Sequence, residues 1–290
     1  MPLLCPECHH FLDESRLSCS NSHLYGIQDG VLVLLTETFA AELAAFEIAL
    51  KKMRTEIGKR ITDPAIYDQL PCARSIQRDK EWRERCMDLR LIRRLIVNHY
   101  GPERDSTLTI LDVGAYNGWL SHNLARLGHL VTGIEYFRDP FDGLGAVQYH
   151  SVAWRAIQMD LLDLSVLDQS YDVVIMNHGL HFFPNSAAYV KQLLEKVSPG
   201  GLFVAIGLRI WADPSRRQLQ VERMQREFFQ KYGQDMLLRP APGYLAGEDK
   251  RKLRDLGLQL RAEPQHIIHN ILATIIRIRP WQGYALASPI

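Results

Sequence analysis

The chain has 290 residues, 47% of them hydrophobic and 23% charged, with a mean hydropathy of −0.15. That balance excludes a disordered chain, a collagen-like repeat and a disulfide miniprotein, and the length suits two domains or one large α/β domain with an appendage. Lys and Arg total 34 against 33 acidic residues, so no global basic field steers the chain onto nucleic acid.

No apolar run reaches the ~18 residues of a membrane span. The opening Met-Pro-Leu-Leu-Cys-Pro-Glu-Cys lacks the basic region and apolar core of a signal peptide. Both features predict a cytoplasmic protein with no membrane partner. Five cysteines, an odd number, argue against a disulfide framework. Three of them lie in the first twenty residues: Cys5 and Cys8 form a C-x2-C knuckle, and Cys19 is followed four residues later by His23. Zn²⁺ takes four such ligands tetrahedrally, and a closed set of four is structural rather than catalytic. The expected ligands are therefore Cys5, Cys8, Cys19 and His23, with His9 or His10 as alternatives to His23. A ribbon this small cannot bury a core of its own, so the metal would hold it folded.

Leu24 to Leu35 reads as strand, Asp-Gly turn, strand. From Phe39 to Lys59, apolar residues at three- and four-residue intervals predict an amphipathic helix, and Asp79 to Tyr100 repeats that period. The polar face of the second helix carries Arg83, Arg85, Arg90, Arg93 and Arg94, which is either a solvated face or a surface for an anionic substrate. The expected division is a zinc ribbon over 1–36, a helical linker or cap over 37–104, and a larger domain over 105–290.

Beyond residue 105 strand and helix alternate. Strands are expected at Thr107–Val113, at His129–Ile134, within Val147–Met159, at Tyr171–Met176 and at Gly201–Ile206. Helices are expected at Gly118–Leu127, Ala187–Val197, Ser215–Tyr232 and Gly247–Asp255. Two further strands close the chain at Leu258–Arg261 and Ile271–Ile278. Such alternation predicts a Rossmann-like, doubly wound and mainly parallel sheet.

The most informative segment is Thr109-Ile-Leu-Asp112-Val-Gly114-Ala-Tyr-Asn-Gly118-Trp. A strand ends in a glycine turn at the point where doubly wound sheets bind ligands. Tyr116 and Trp119 occupy positions where a dinucleotide fingerprint needs glycine, and no Gly-Lys-Ser/Thr of a phosphate loop follows. Glu135 ends the next strand and suits both ribose hydroxyls of a nucleoside. Asp160 ends the third and suits an exocyclic adenine amine, with Met159 and Leu161 on the ring faces. Asp112 suits an ammonium or orders the loop.

As a set, D-x-G-x-x-x-G, the two strand-end carboxylates and Tyr171-Asp172-Val-Val-Ile-Met resemble the class I S-adenosylmethionine-dependent methyltransferases, strongly over Leu108 to Ile206 and weakly beyond. The resemblance implies that fold and a cofactor site running through Asp112, Gly114, Ala115, Tyr116, Asn117, Gly118, Glu135, Tyr136, Met159, Asp160, Leu161, Asn177 and His178. Tyr116 departs from the family, many of whose members have glycine there. The ribbon looks like that of bacterial rRNA guanine methyltransferases, which implies RNA as an alternative partner.

Methyl transfer from a sulfonium needs mainly in-line alignment and exclusion of water. A hydroxyl acceptor gains from a general base, and histidine suits neutral pH. The segment Asn177-His-Gly-Leu-His-Phe resembles the loop of small-molecule members, which makes His178 and His181 the candidate bases. In the family, the acceptor pocket is built from regions that correspond to Ile66–Arg78 and Arg209–Tyr244. Arg277, Arg279 and Trp281 either suit an anion or are solvated, as strand-end arginines usually are. The expected activity is methylation of a small-molecule acceptor. The alternatives are an rRNA or tRNA base methyltransferase and a non-catalytic scaffold that keeps the fold.

Overall fold

The computed structural model describes residues 2–102, 106–275 and 279–289. It divides into two compact units, Met1–Val174 and Ile175–Ile290.

The first unit opens with a small antiparallel pair, β1 (Leu12–Asp13) and β2 (Ser18–Cys19). A hairpin follows, β3 (Gly26–Gln28) and β4 (Val31–Leu34). Asp29 and Gly30 at its tip have φ of 53° and 78°, the left-handed pair that a two-residue hairpin turn requires. Helix α1 (Glu37–Glu56) starts at Thr36, whose hydroxyl accepts the Phe39 N–H, and buries Phe39, Leu43, Phe46 and Ala49 along one face. Helix α2 (Lys80–Tyr100) starts at Asp79, which caps Glu81 N, and buries Trp82, Cys86, Leu89, Ile92 and Ile96.

Then come β5 (Thr109–Val113), α3 (Trp119–Ala125), β6 (Leu130–Glu135), β7 (Arg155–Met159) and β8 (Tyr171–Asn177). Strands β5, β6 and β7 pair in parallel, and β4 extends them, also in parallel, with Leu34 opposite Met159. The ribbon's hairpin is therefore a sheet edge rather than a separate flap. The first half of β8 is tied to β5 through Asp172, whose carboxylate accepts both Thr109 N and Thr109 Oγ1 at 2.8 Å. The motif aspartate is thus a structural tie.

The second unit holds the end of β8, α4 (Ser186–Glu195), β9 (Val197–Trp211), α5 (Ser215–Tyr232), β10 (Leu245–Ala246), α6 (Gly247–Asp255), β11 (Gln259–Ala262), α7 (Ile267–Ile275) and β12 (Pro280–Ala287). Strand β12 lies antiparallel between β9 and β11, and β10 lengthens the β9 edge.

Two expectations are corrected. The apolar run read as a strand from Ile271 belongs to helix α7 as far as Ile275, and the final strand begins at Pro280. A short isoleucine-rich run fits either period, and hydrogen bonds from His269 and Asn270 to β12 decide for helix. The remainder of that run, 276–278 with Arg277, lies outside the described residues, as does the 104/105 boundary. Cys72 and Cys86 form a disulfide, because the connector after α1 folds back against α2. Among the described residues, no helix is long and apolar enough to cross a membrane.

Candidate functional site

The β5–α3 turn is built on left-handed residues: Gly114 (φ 71°), Tyr116 (54°) and Gly118 (74°). The N–H groups of Gly114 and Ala115 both reach the Ile134 carbonyl, at 2.9 and 3.0 Å, and lock the turn onto β6. A Cβ added at Gly114 meets nothing within 4 Å, so the turn faces open space there. Gly118 differs, since a Cβ would sit 2.0 Å from the Trp154 ring. Its glycine makes room for tryptophan.

The register Val113–Ile134 and Glu135–Gln158 brings Asp112, Glu135 and Asp160 to the carboxyl ends of three neighbouring strands. Asp112 is buried, accepts the Ser121 hydroxyl at 2.7 Å, and is pushed up to about 6 by its burial. Glu135 accepts Tyr116 N at 3.0 Å and Tyr136 N at 2.7 Å. Burial pushes it to about 7, against those backbone donors and with help from the Asp112 charge. Asp160 accepts Leu162 N at 2.9 Å, which shapes the loop after β7, and Met159 and Leu161 beside it are buried. Asn117 is buried with its Oδ1 unpartnered.

Tyr116 explains its own departure from glycine. A non-glycine residue in this region costs about 1–2 kcal/mol. The side chain is tied down to offset it. Its hydroxyl accepts from Arg54 Nη2 at 2.5 Å and donates to Asp142 Oδ1 at 2.7 Å. Arg54 and Arg85 lie over the ring at 5.2 and 4.9 Å from its centroid. Arg60 joins through Asp139 at 2.7 Å and Asp142 at 3.3 Å. This cluster links α1 and α2 to the glycine turn, and sequence reasoning missed it. Removing one buried hydroxyl that serves two partners typically costs about 1–3 kcal/mol. Tyr116→Phe should therefore lower unfolding free energy by that amount in urea titrations, and an unchanged midpoint would contradict the tie. Arg85 also leaves the expected arginine face, since it stacks on Trp82 and pairs with Glu81, whereas Arg83, Arg90, Arg93 and Arg94 are exposed.

In the second unit, His178 is left-handed (φ 57°) and gives its N–H to Ile206 O at 3.0 Å. Its ring lies so close over Gly207 that a Cβ there would be 2.4 Å away. The buried Glu263 accepts Gly207 N at 3.3 Å and faces His266 at 3.4 Å. A glycine inside a strand marks such a close approach, and Gly207 was the overlooked signal. His181 is held down to about 4 by burial and the nearby His178, Arg217 and Arg209. The Oδ1 of Asn177 is buried without a partner.

At the N-terminus, the ligand atoms of Cys5, Cys8, Cys19 and His23 all lie within 4.8 Å of one another. Cys8 Sγ is 3.6 Å from Cys19 Sγ, and His23 Nδ1 is 3.3 Å from Cys5 Sγ and 3.4 Å from Cys19 Sγ. A tetrahedral zinc site has edges of about 3.5–3.8 Å. Tyr25 reaches Cys5 Sγ at 2.9 Å, an outer hydrogen bond that the spacing did not reveal. His9 and His10 are turned to Ser165 and Ser20, which leaves His23 as the imidazole of the cluster.

A family model described as a methyltransferase domain matches residues 79–235, more than half of the chain. A ubiquinone biosynthesis O-methyltransferase of Paramagnetospirillum magneticum is 29% identical over 140 residues, covering 43% of this chain and 53% of that protein. A 2-methyl-6-phytyl-1,4-hydroquinone methyltransferase of Synechocystis is 32% identical over 122 residues, 38% of each chain. The chain thus spans about half or less of the length of these curated relatives. Among solved structures, a putative sarcosine dimethylglycine methyltransferase from Galdieria sulphuraria shares the fold with a TM-score of 0.55 at 12% identity, over 83% of this chain and 98% of that one. With the glycine turn, the parallel strands and the strand-end carboxylates in place, the chain belongs to the methyltransferase-domain family and has its class I, Rossmann-like fold.

Proposed function

We propose that the protein transfers a methyl group from S-adenosylmethionine to a small hydroxylated aromatic molecule. The observation that carries this reading is the row of Asp112, Glu135 and Asp160 at three strand ends, beside a left-handed turn open at Gly114. The residues fit the cofactor. After taking two backbone N–H groups, each Glu135 oxygen keeps a lone pair for a ribose hydroxyl. Asp160 would take the adenine amine between Met159 and Leu161. The unpartnered Asn117 Oδ1 suits the ammonium of the methionine end. When bound, the sulfonium supplies an electrophilic methyl group.

The chain's share is orientation, exclusion of water and removal of the acceptor's proton. His178 is the residue we assign to that proton. His181, held near 4, is too weak a base at neutral pH and serves as pocket wall in this reading. The acceptor class is supported by the relatives' names, which specify ubiquinone biosynthesis and a hydroquinone. We assign a structural zinc ion to Cys5, Cys8, Cys19 and His23, closed to substrate. Residues 1–36 then comprise the ribbon and the hairpin that edges the sheet, and 37–104 the helical linker.

The test uses methyl-labelled S-adenosylmethionine with catechols, hydroquinones and cellular RNA. Label should enter a phenolic acceptor, and His178→Ala should lower kcat by about 10²-fold or more, a far larger factor than its effect on S-adenosylhomocysteine affinity. Label entering RNA alone, or no transfer despite cofactor binding, would overturn the assignment.

A further inference from the structure

Helix α7 is amphipathic in the wrong sense for a soluble surface. Ile267, Ile268, Ile271 and Leu272 are 53%, 77%, 57% and 37% exposed. At about 100° per residue these four fall within an arc of roughly 140°. The polar residues point inward instead. His269 Nε2 donates to Pro280 O at 2.9 Å, and Asn270 exchanges two hydrogen bonds with the Gln282 backbone, at 2.6 and 2.7 Å. Asn270 and Ala273 are buried. The hydrogen bonds fix the helix with its aliphatic face outward, so the exposure is built in and not a frayed end.

We propose that this face lies on an anionic lipid surface and docks the protein there without spanning it. Charge favours that occupant. Among the described residues from 264 to 289 there is one arginine, Arg279, and no acidic residue. Arg279 is exposed and directly precedes the carbonyl that holds His269. The Lys250 ammonium sits 4.3 Å from the ring of Trp281, the next residue of β12 after that carbonyl. Glu263, the nearest acid before the helix, is buried and engaged with Gly207 and His266. An exposed apolar helix face with cations on the neighbouring strand and helix has the chemistry of an interfacial helix. A second copy is the poorer fit, since four side chains fall far short of the ~20–30 residues a side of a stable interface. The expectation of no membrane partner rested on the absence of a spanning run, which does not bear on a helix lying at the surface.

The test is sedimentation of the full chain with vesicles of phosphatidylcholine alone or with one quarter phosphatidylglycerol. Binding should be at least about tenfold stronger to the anionic vesicles and should fall in 0.5 M salt, as screening requires. Ile268→Asp/Ile271→Asp should remove it, and the milder Ile268→Ala/Ile271→Ala should weaken it by about tenfold, both with an unchanged thermal midpoint. No binding to anionic vesicles, or equal binding by wild type and the aspartate variant, would overturn the proposal. So would a dimer in analytical ultracentrifugation that the same variant dissociates, which would give the face to a second copy.

Discussion

Glu135→Ala weakens S-adenosylhomocysteine binding by about 100-fold or more in calorimetry, since two hydrogen bonds to a charged group contribute about 1.5–3 kcal/mol each. Because alanine also orphans the N–H groups of Tyr116 and Tyr136, Glu135→Gln is the companion variant. It retains one acceptor oxygen and should lose affinity by about tenfold at pH 8 with its thermal midpoint preserved. The pH dependence has a definite sign. Buried Glu135 titrates near 7 rather than at 4.5. Ribose hydroxyls donate to the ionised form, so ligand affinity should fall as pH drops below about 7 and level off above it. Stability of the ligand-free protein runs the other way. The folded state holds its proton over the window from 4.5 to about 7, so stability is highest at the acid end of that window and declines as pH rises through it. Affinity that is flat from pH 5 to 8, or equal in wild type and Glu135→Ala, would reject the assignment.

Metal removal is the second large effect. Structural zinc sites in small domains contribute about 10–16 kcal/mol, and the described residues from 2 to 25 hold two short strand pieces, Leu12–Asp13 and Ser18–Cys19. Metal analysis should find about one zinc per chain, lost in Cys5→Ser. The loss should reach the cofactor side. Leu4 N donates to Val166 O at 2.8 Å, Leu3 bridges to Leu167, and His9 meets Ser165 at 3.1 Å. These contacts hold the loop that leaves Asp160, itself closed by Asp163 N to Asp160 O at 3.0 Å. Chelation should therefore lower the thermal midpoint and weaken S-adenosylhomocysteine by about tenfold, through the adenine end, since one loosened hydrogen-bonded contact costs about 1.4 kcal/mol. A metal-free chain with an unchanged midpoint and affinity would show that the cysteines are not a zinc site.

What could be read from the sequence follows from range. The glycine turn, the strands around it and helices α5 and α6 are set by local period and punctuation, so their limits were readable within a few residues. The Cys/His spacing is local as well, and Cys5, Cys8, Cys19 and His23 do come together in the fold. Contacts between distant segments were not. Nothing near Tyr116 announces Arg54, 62 positions away, or the need for Asp142 to close the cluster. Nothing in Cys72 or Cys86 announces their pairing. Helix α7 was misread because isoleucine favours strands, and only its inward hydrogen bonds to β12 decide the matter. The packing of Trp154 against Gly118 is likewise a contact between distant segments, 36 positions apart, that the local pattern does not announce.

A crystal structure with S-adenosylhomocysteine tests the central claim most directly. The expected density places adenosine along the β5–β6–β7 strand ends, with both ribose hydroxyls within hydrogen-bond distance of Glu135 and the adenine amine facing Asp160. A nucleoside bound elsewhere, or a Glu135 carboxylate still engaged only with Tyr116 and Tyr136, would contradict it.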